Sequence, residues 1–226
     1  MLWIHLVIFA LLTIVSASHD SIVDGTQTKF FQNVTKHSND ILNWEVPENI
    51  KSKFPFYITG YDFENRPVIV FEWGKWYTRS VVEKNGQELV DLKKMQDLVV
   101  ERLRTSFYRR PLNDTESGLV DDEFVLLVDM KAYNLLQLTS LQNLKYLMEY
   151  FAKFDKCYEK FAYGFMINVS AVAKQFVGLY TAFMAKYIVR TEVFGTDSKV
   201  WIPQLLRKIP PDQLPPKYGG TSTLKQ

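Results

Sequence analysis

Histidine and cysteine are almost missing from this chain. Among 226 residues there are three histidines and one cysteine. His5, His19 and His37 all precede residue 38, so the body of the chain has no imidazole. That excludes Ser-His-Asp and Cys-His nucleophilic arrangements there, and any histidine-based zinc site. Cys157 alone can neither close an internal disulfide nor build a thiolate cluster, and is expected to act as a small buried apolar residue. No Walker-type glycine loop and no Gly-x-Ser-x-Gly elbow occurs. Charge of one sign is not in excess either: 27 basic against 25 acidic residues leave +2. Nucleic-acid binding, which needs a strong basic footprint, is not expected. Carboxylates are plentiful, but Asp121-Asp122-Glu123 precedes an apolar run and reads as a solvated turn. No set of catalytic roles can be assembled, so neither an enzyme, a cofactor nor a metal is expected.

What the chain does have is apolar surface. Apolar residues make up 47% and aromatics 15%, with sixteen Phe, twelve Tyr and five Trp. That fills a core at this length and leaves area for a second apolar surface. Residues 2–15 are apolar except His5 and Thr13, and Ser16-Ala17-Ser18 supplies small residues for a cut. This run is too short to span a bilayer comfortably, so 1–18 reads as a signal peptide and the protein as secreted. No Lys or Arg precedes the run, which keeps an uncleaved signal anchor as the alternative, a membrane-anchored form in the secretory pathway. Sequons stand at Asn33, Asn113 and Asn168. Asn33 and Asn113 lie in loop-like sequence and are the candidate glycosylation sites.

The periodicity predicts alternating strands and helices. A β-branched, aromatic strand covers 66–73. A helix over 87–107 carries apolar residues at three- and four-residue spacing and ends before Pro111. The continuous apolar run 124–130 suits a strand covered on both faces. A helix follows over 140–160, then a buried strand over 162–169, a helix over 171–188 capped by Ser170, and a short strand over 191–194. Pro203 is expected to open a last helix near its first turn, with Pro210-Pro211 ending it. Asp40 to Pro47 holds at most a short helix end, with Trp44 packing inward. This order implies one α/β domain with a mixed, mostly parallel sheet flanked by helices.

The helix over 171–188 stands apart. On a helical wheel Lys174, Gln175, Gly178, Thr181 and Lys186 fall within roughly 140°. The remaining arc of roughly 220° is apolar, more than twice the width one core face needs. Such a helix has two apolar neighbours: the sheet, and a second helix, a ligand or a membrane surface.

Four stretches, in order, resemble the CRAL-TRIO lipid-binding family, which includes retinaldehyde, tocopherol and phosphatidylinositol carriers. They are Gly60-Tyr61-Asp62-Phe63-Glu64-Asn65-Arg66-Pro67-Val68, Val128-Asp129-Met130-Lys131-Ala132, Tyr158-Glu159-Lys160 through Met166-Ile167-Asn168, and Leu214-Pro215-Pro216-Lys217-Tyr218-Gly219-Gly220. Asn65 and Ala132 stand where the family has Gly, Cys157 where it often has Pro, and Val169-Ser170 where it has Ala-Pro. The resemblance covers roughly 54–222, leaving 19–53 as a short, reduced amino-terminal segment.

The resemblance implies a lipid pocket between sheet and helices, closed by a gate helix at 171–188. It implies that Val128, Tyr133, Phe151, Phe165, Ile167, Phe176, Leu179, Tyr180, Phe183 and Tyr187 contact the lipid. The expected ligand is one retinoid, tocopherol, carotenoid or sterol-like molecule, exchanged during transient contact with a membrane surface by a monomeric protein. In phosphoinositide-binding members a Glu and a Lys hold the head group. Glu159 matches the first, Thr191 falls at the second, and the adjacent Arg190 is the candidate cation. A phosphoinositide carrier and a lipid-sensing module without transfer activity are therefore the alternatives.

Overall fold

A computed structural model describes residues 41–110 and 122–223, all within one unit that spans 39–226. The expected leader over 1–18, most of the segment 19–53, and the sequons at Asn33 and Asn113 lie outside the described residues.

Five strands form one sheet in the order β1-β2-β3-β4-β5. β1 (Phe56–Tyr61) runs antiparallel to β2 (Pro67–Phe71). β3 (Phe124–Asp129), β4 (Phe161–Ile167) and β5 (Thr191–Val193) continue the sheet in parallel. The helices are α1 (Glu48–Lys53), α2 (Thr78–Lys84), α3 (Gln87–Arg104), α4 (Leu141–Phe154), α5 (Ala171–Val189) and α6 (Ser198–Leu206). The mixed, mostly parallel sheet flanked by helices matches the expected architecture.

Three local features differ from the sequence reading. β1, α1 and α2 were not anticipated, because each is short and mixes polar with apolar residues. The helix expected over 140–160 stops at Phe154, and a 3₁₀ turn, Asp155–Lys160, follows. Pro203 does not open α6 but sits inside it. Asp197 sets the start instead, its carboxylate accepting from the Lys199 N–H at 2.9 Å. Pro203 then forfeits only the one ladder bond its ring nitrogen cannot donate.

The pleat divides the core in two. Ile69, Phe71, Leu126 and Phe161 face α3, α4 and α5. Val68, Val70, Val125, Leu127, Phe165 and Ile167 face the other way, onto Trp201, Leu205, Ile209, Leu214 and Tyr218. The second side is closed by buried polar stitches. The Asp129 carboxylate accepts from the Lys131 N–H at 2.9 Å, from Asn168 Nδ2 at 2.8 Å and from Tyr218 Oη at 3.2 Å. Asp62 accepts from the backbone of Glu64 and Arg66, and from Tyr163 Oη at 3.0 Å. Glu72 is paired with Lys75 and Lys217 and accepts from Tyr57 Oη at 3.2 Å. The four sequence motifs thus meet as joints that fasten the hairpin, the strand ends and the carboxyl-terminal segment together.

Two motif substitutions carry a backbone consequence. Asn65 and Ala132 stand where the family has Gly, and both have left-handed backbones, φ 63° and 66°. Asn tolerates this region, whereas the Cβ of Ala crowds the following carbonyl oxygen there.

Candidate functional site

Between the first sheet face and helices α4 and α5 lies a cavity of about 100 Å³. Its floor is Phe71, Leu126, Val128 and Met166 from the strands; its side is Tyr150, Phe151 and Phe154 from α4; its cover is Phe176, Val177, Met184, Tyr187 and Ile188 from α5. Alternation supplies the floor, since 126, 128 and 130 on β3 and its exit point the same way, as do 164 and 166 on β4. Trp73 joins them from the turn after β2, its ring parallel to Tyr150 at 6.0 Å and 6.1 Å from Phe176.

The wall holds no Asp, Glu, Lys or Arg. Its few polar atoms are largely turned to the protein. Tyr187 Oη donates to the Phe154 carbonyl, and Thr191 Oγ1 donates to the Tyr187 carbonyl at 2.7 Å. Burial pushes the phenols of Tyr150 and Tyr187 well above the ordinary tyrosine value, so both stay neutral. Cys157 packs behind this wall, 3.1 Å from the Phe154 carbonyl, and burial pushes its thiol up to about 11. An uncharged, aromatic-walled space of this kind offers dispersion contact and exclusion of water, and no group for acid–base work. Among the described residues no cluster of His, Cys, Asp and Glu could hold a metal.

Of the residues expected to meet a lipid, Val128, Phe151, Phe165, Phe176 and Tyr187 border the cavity. Phe165 does so from behind: its ring packs on Tyr163 and Phe194, on the sheet's other side. Ile167 is a correction. It shares Phe165's parity on β4 and packs into the second core, so the cavity is closed to it. Tyr133 and Leu179 are not in the wall either. Tyr133 stands 4.8 Å from the Phe176 ring and supports it, and Leu179 packs against the neighbouring core. The side chains at 180, 182 and 183 lie outside those described, and with them Tyr180 and Phe183. Sequence reasoning missed Trp73, Tyr150, Phe154, Phe71 and Met184. Tyr150 and Phe154 were recoverable, since they share one helical stripe with Phe151 and Leu147.

The two candidate head-group residues are not seen to act as a pair. Glu159 is exposed, and among the described residues no ion pair joins it to Arg190. Arg190 Nη1 donates to the Phe161 carbonyl at 2.7 Å, and its guanidinium lies 4.7 Å from the Tyr158 ring centre. Thr191 faces the cavity as an uncharged hydroxyl.

Helix α5 covers the cavity with two weak points. Met184 has non-helical angles, φ −112° and ψ 17°, and kinks the helix. Gly178 has nothing within 4 Å of a Cβ placed on it, so no close approach requires glycine there. The described outward positions of α5 are Ala171, Lys174, Gln175, Gly178, Thr181, Ala185 and Val189. Of the described apolar positions Phe176, Val177, Met184, Tyr187 and Ile188 turn to the cavity, and the described outward positions are small or polar except for Val189.

A five-stranded mixed sheet with a charge-free cavity under a kinked covering helix defines a hydrophobic-ligand-binding α/β domain. The profile of the CRAL/TRIO domain family matches residues 51–220, and the chain belongs to that family. Among solved structures it is similar to the crystal structure of Sfh5, with a TM-score of 0.52 and 14% identity over 78% of this chain. The chain spans 64% of that structure's length. No curated protein matches the sequence. Lipid binding in general follows from the family.

Proposed function

We propose that this protein is a carrier of one uncharged, ring- or polyene-containing lipid, of the retinoid, tocopherol, carotenoid or sterol-like kind. The observation that carries the reading is the wall of the cavity: half of its side chains are aromatic and none is charged. A phosphoinositide would need a cation at the cavity, where Thr191 stands, and Arg190 is engaged elsewhere. An apolar tail of about a dozen methylenes favours such a space over water by roughly 10 kcal/mol before ordering costs. We assign the protein no catalytic step and no cofactor besides the lipid, and place it as a secreted monomer.

Exchange requires the cover to move. The present cavity is smaller than the roughly 150 Å³ void that admits one benzene. A lipid therefore fits only if α5 yields, and its kink at Met184 and the unsupported Gly178 are where yielding costs least. Native mass spectrometry and solvent extraction of protein secreted from its own cells test the reading. A single neutral lipid at one equivalent is expected; bound phosphoinositide, or no lipid after mild purification, would overturn it.

A further inference from the structure

Large apolar side chains are exposed where α2, α4 and the turn before α4 meet. Leu135 is 41% exposed, Leu136 56%, Leu141 64% and Tyr77 47%. They form one ridge held in place from below. Asn134 Nδ2 donates to Tyr77 Oη at 2.8 Å, tying the turn Leu135–Leu138 to the start of α2. Arg79 donates to the Leu136 carbonyl at 3.1 Å and to Thr139 Oγ1 at 2.7 Å. Asn143, fully buried, donates to the Gln137 carbonyl at 2.9 Å. The leucines are thus displayed by a rigid base, not left over from a poorly packed loop. Isolated exposed leucines need no explanation; an adjacent group does.

The unpaired charges of the segment that carries the ridge are basic. Residues 130–148, which carry the leucines, contain Lys131 and Lys145 and no carboxylate, and Lys174 is the charge in the first two turns of α5. Glu83 on α2 is the acidic neighbour, and it is paired with Arg79. In a chain whose net charge is only +2, that run of cations without a carboxylate is a local excess. Helix α5, which covers the cavity, packs against the same turn.

We infer that the ridge Tyr77, Leu135, Leu136 and Leu141, flanked by Lys131, Lys145 and Lys174, is the surface on which the protein docks to an anionic lipid bilayer, beside the cover of its cavity. The proposal rests on the carrier reading for its purpose, but its surface is separate from the cavity. Leucines inserted below head-group level supply apolar burial, and each lysine near an anionic surface contributes about a fivefold gain in affinity.

The test is co-sedimentation of the full-length mature protein with vesicles of phosphatidylcholine, with and without phosphatidylserine. The same samples are titrated with retinol, whose fluorescence reports cavity occupancy. Wild type is expected to bind the anionic vesicles at least tenfold better than the neutral ones. Leu136→Asp with Leu141→Asp, and separately Lys131→Glu with Lys174→Glu, are expected to lose at least tenfold in vesicle binding while taking up retinol as wild type does. Equal binding to both vesicles, or undiminished binding by both double variants, overturns the docking surface. Loss of retinol uptake by wild type would count against the carrier reading and leave the vesicle result to stand or fall separately. Circular dichroism melts identify a variant that fails to fold; Leu141→Ser, a milder change at one exposed position, then replaces it with an expected loss of about threefold.

Discussion

Filling the cavity from its floor separates ligand binding from folding. Val128 stands on β3 with its side chain in the wall, and its neighbours there are Leu126 and Met130. In Val128→Phe the added ring has one place to go, the cavity of about 100 Å³. That void is of the order of a single ring, so the new side chain occupies most of it. Folding should change little: the ring gains apolar burial, and strain from overpacking opposes it, leaving a net effect within about 1 kcal/mol. The ligand loses far more. Exclusion of about five methylene-sized units at roughly 0.8 kcal/mol each removes about 4 kcal/mol, close to a thousandfold in Kd. The assay is fluorescence titration with retinol at constant temperature, paired with a thermal melt of the same sample. Val200→Phe, at an exposed position on α6, is the control for a bulky substitution away from the cavity. The reasoning is refuted if Val128→Phe melts within a few degrees of wild type and binds retinol within threefold of it.

Other perturbations follow from the same geometry. Ala132→Gly relieves a left-handed alanine at φ 66° and is expected to stabilise the fold by about 1 kcal/mol in urea titration. The Glu72 carboxylate is pushed up by burial, but Lys217 and Lys75 outweigh that and hold its pKa below the ordinary value of 4.5. A depressed folded pKa contributes stability that is present above the unfolded value and lost as pH falls through the folded one. Melting temperature should therefore drop below about pH 4.5, and Glu72→Gln should flatten that drop while lowering stability at pH 7. Cys157, with its thiol at about 11, should resist alkylation at pH 8 in the folded protein and react promptly in guanidinium, as mass spectrometry would record. Asn168 should carry no glycan in secreted material, because the Nδ2 that a glycan would occupy donates to Asp129 at 2.8 Å from a left-handed backbone; a glycopeptide there would contradict the placement.

How much of this was legible in the sequence depends on which signal a residue carried. Long elements announced themselves by period: α3, α4 and α5 begin within a residue of the expected positions because their stripes and caps are regular. β1 and α2 did not, since FYITGY and TRSVVEK show neither clear alternation nor a wide stripe. The motifs identified the family, yet their residues chiefly build joints on the far side of the sheet, at Asp62, Asp129 and Tyr218. Only those of opposite parity, such as Val128, Met130 and Met166, reach the cavity. Ile167 failed for that reason: it was taken from the motif strand without its parity, and one residue of phase moves a side chain to the opposite face. Trp73 was out of reach, because a turn after a strand has no period from which to infer direction. The pairing of Glu159 with Arg190 rested on an ungapped count that put Thr191 at the cation position and took Arg190 as its neighbour, and a count along the chain does not fix where a side chain points.

The two sides of the sheet explain why such a domain can carry a cavity at all. A void of about 100 Å³ costs about 2 kcal/mol at the usual rate for buried holes. That is a large part of the margin by which a domain is stable. The far side bears it. There Val68, Val70, Val125, Leu127, Phe165 and Ile167 are entirely buried, and Asp62, Asp129 and Glu72 lock the hairpin and the carboxyl-terminal segment onto them. The near side is built to the opposite rule, with a helix broken at Met184 and unsupported at Gly178 lying over a poorly filled space. Local opening is governed by the stability of the part that opens, not of the whole. A rigid far side and a weak cover are thus compatible in one cooperative domain. The same division places the proposed leucine ridge sensibly, because it rises from α2 and α4 beside the weak cover and leaves the stitched side untouched.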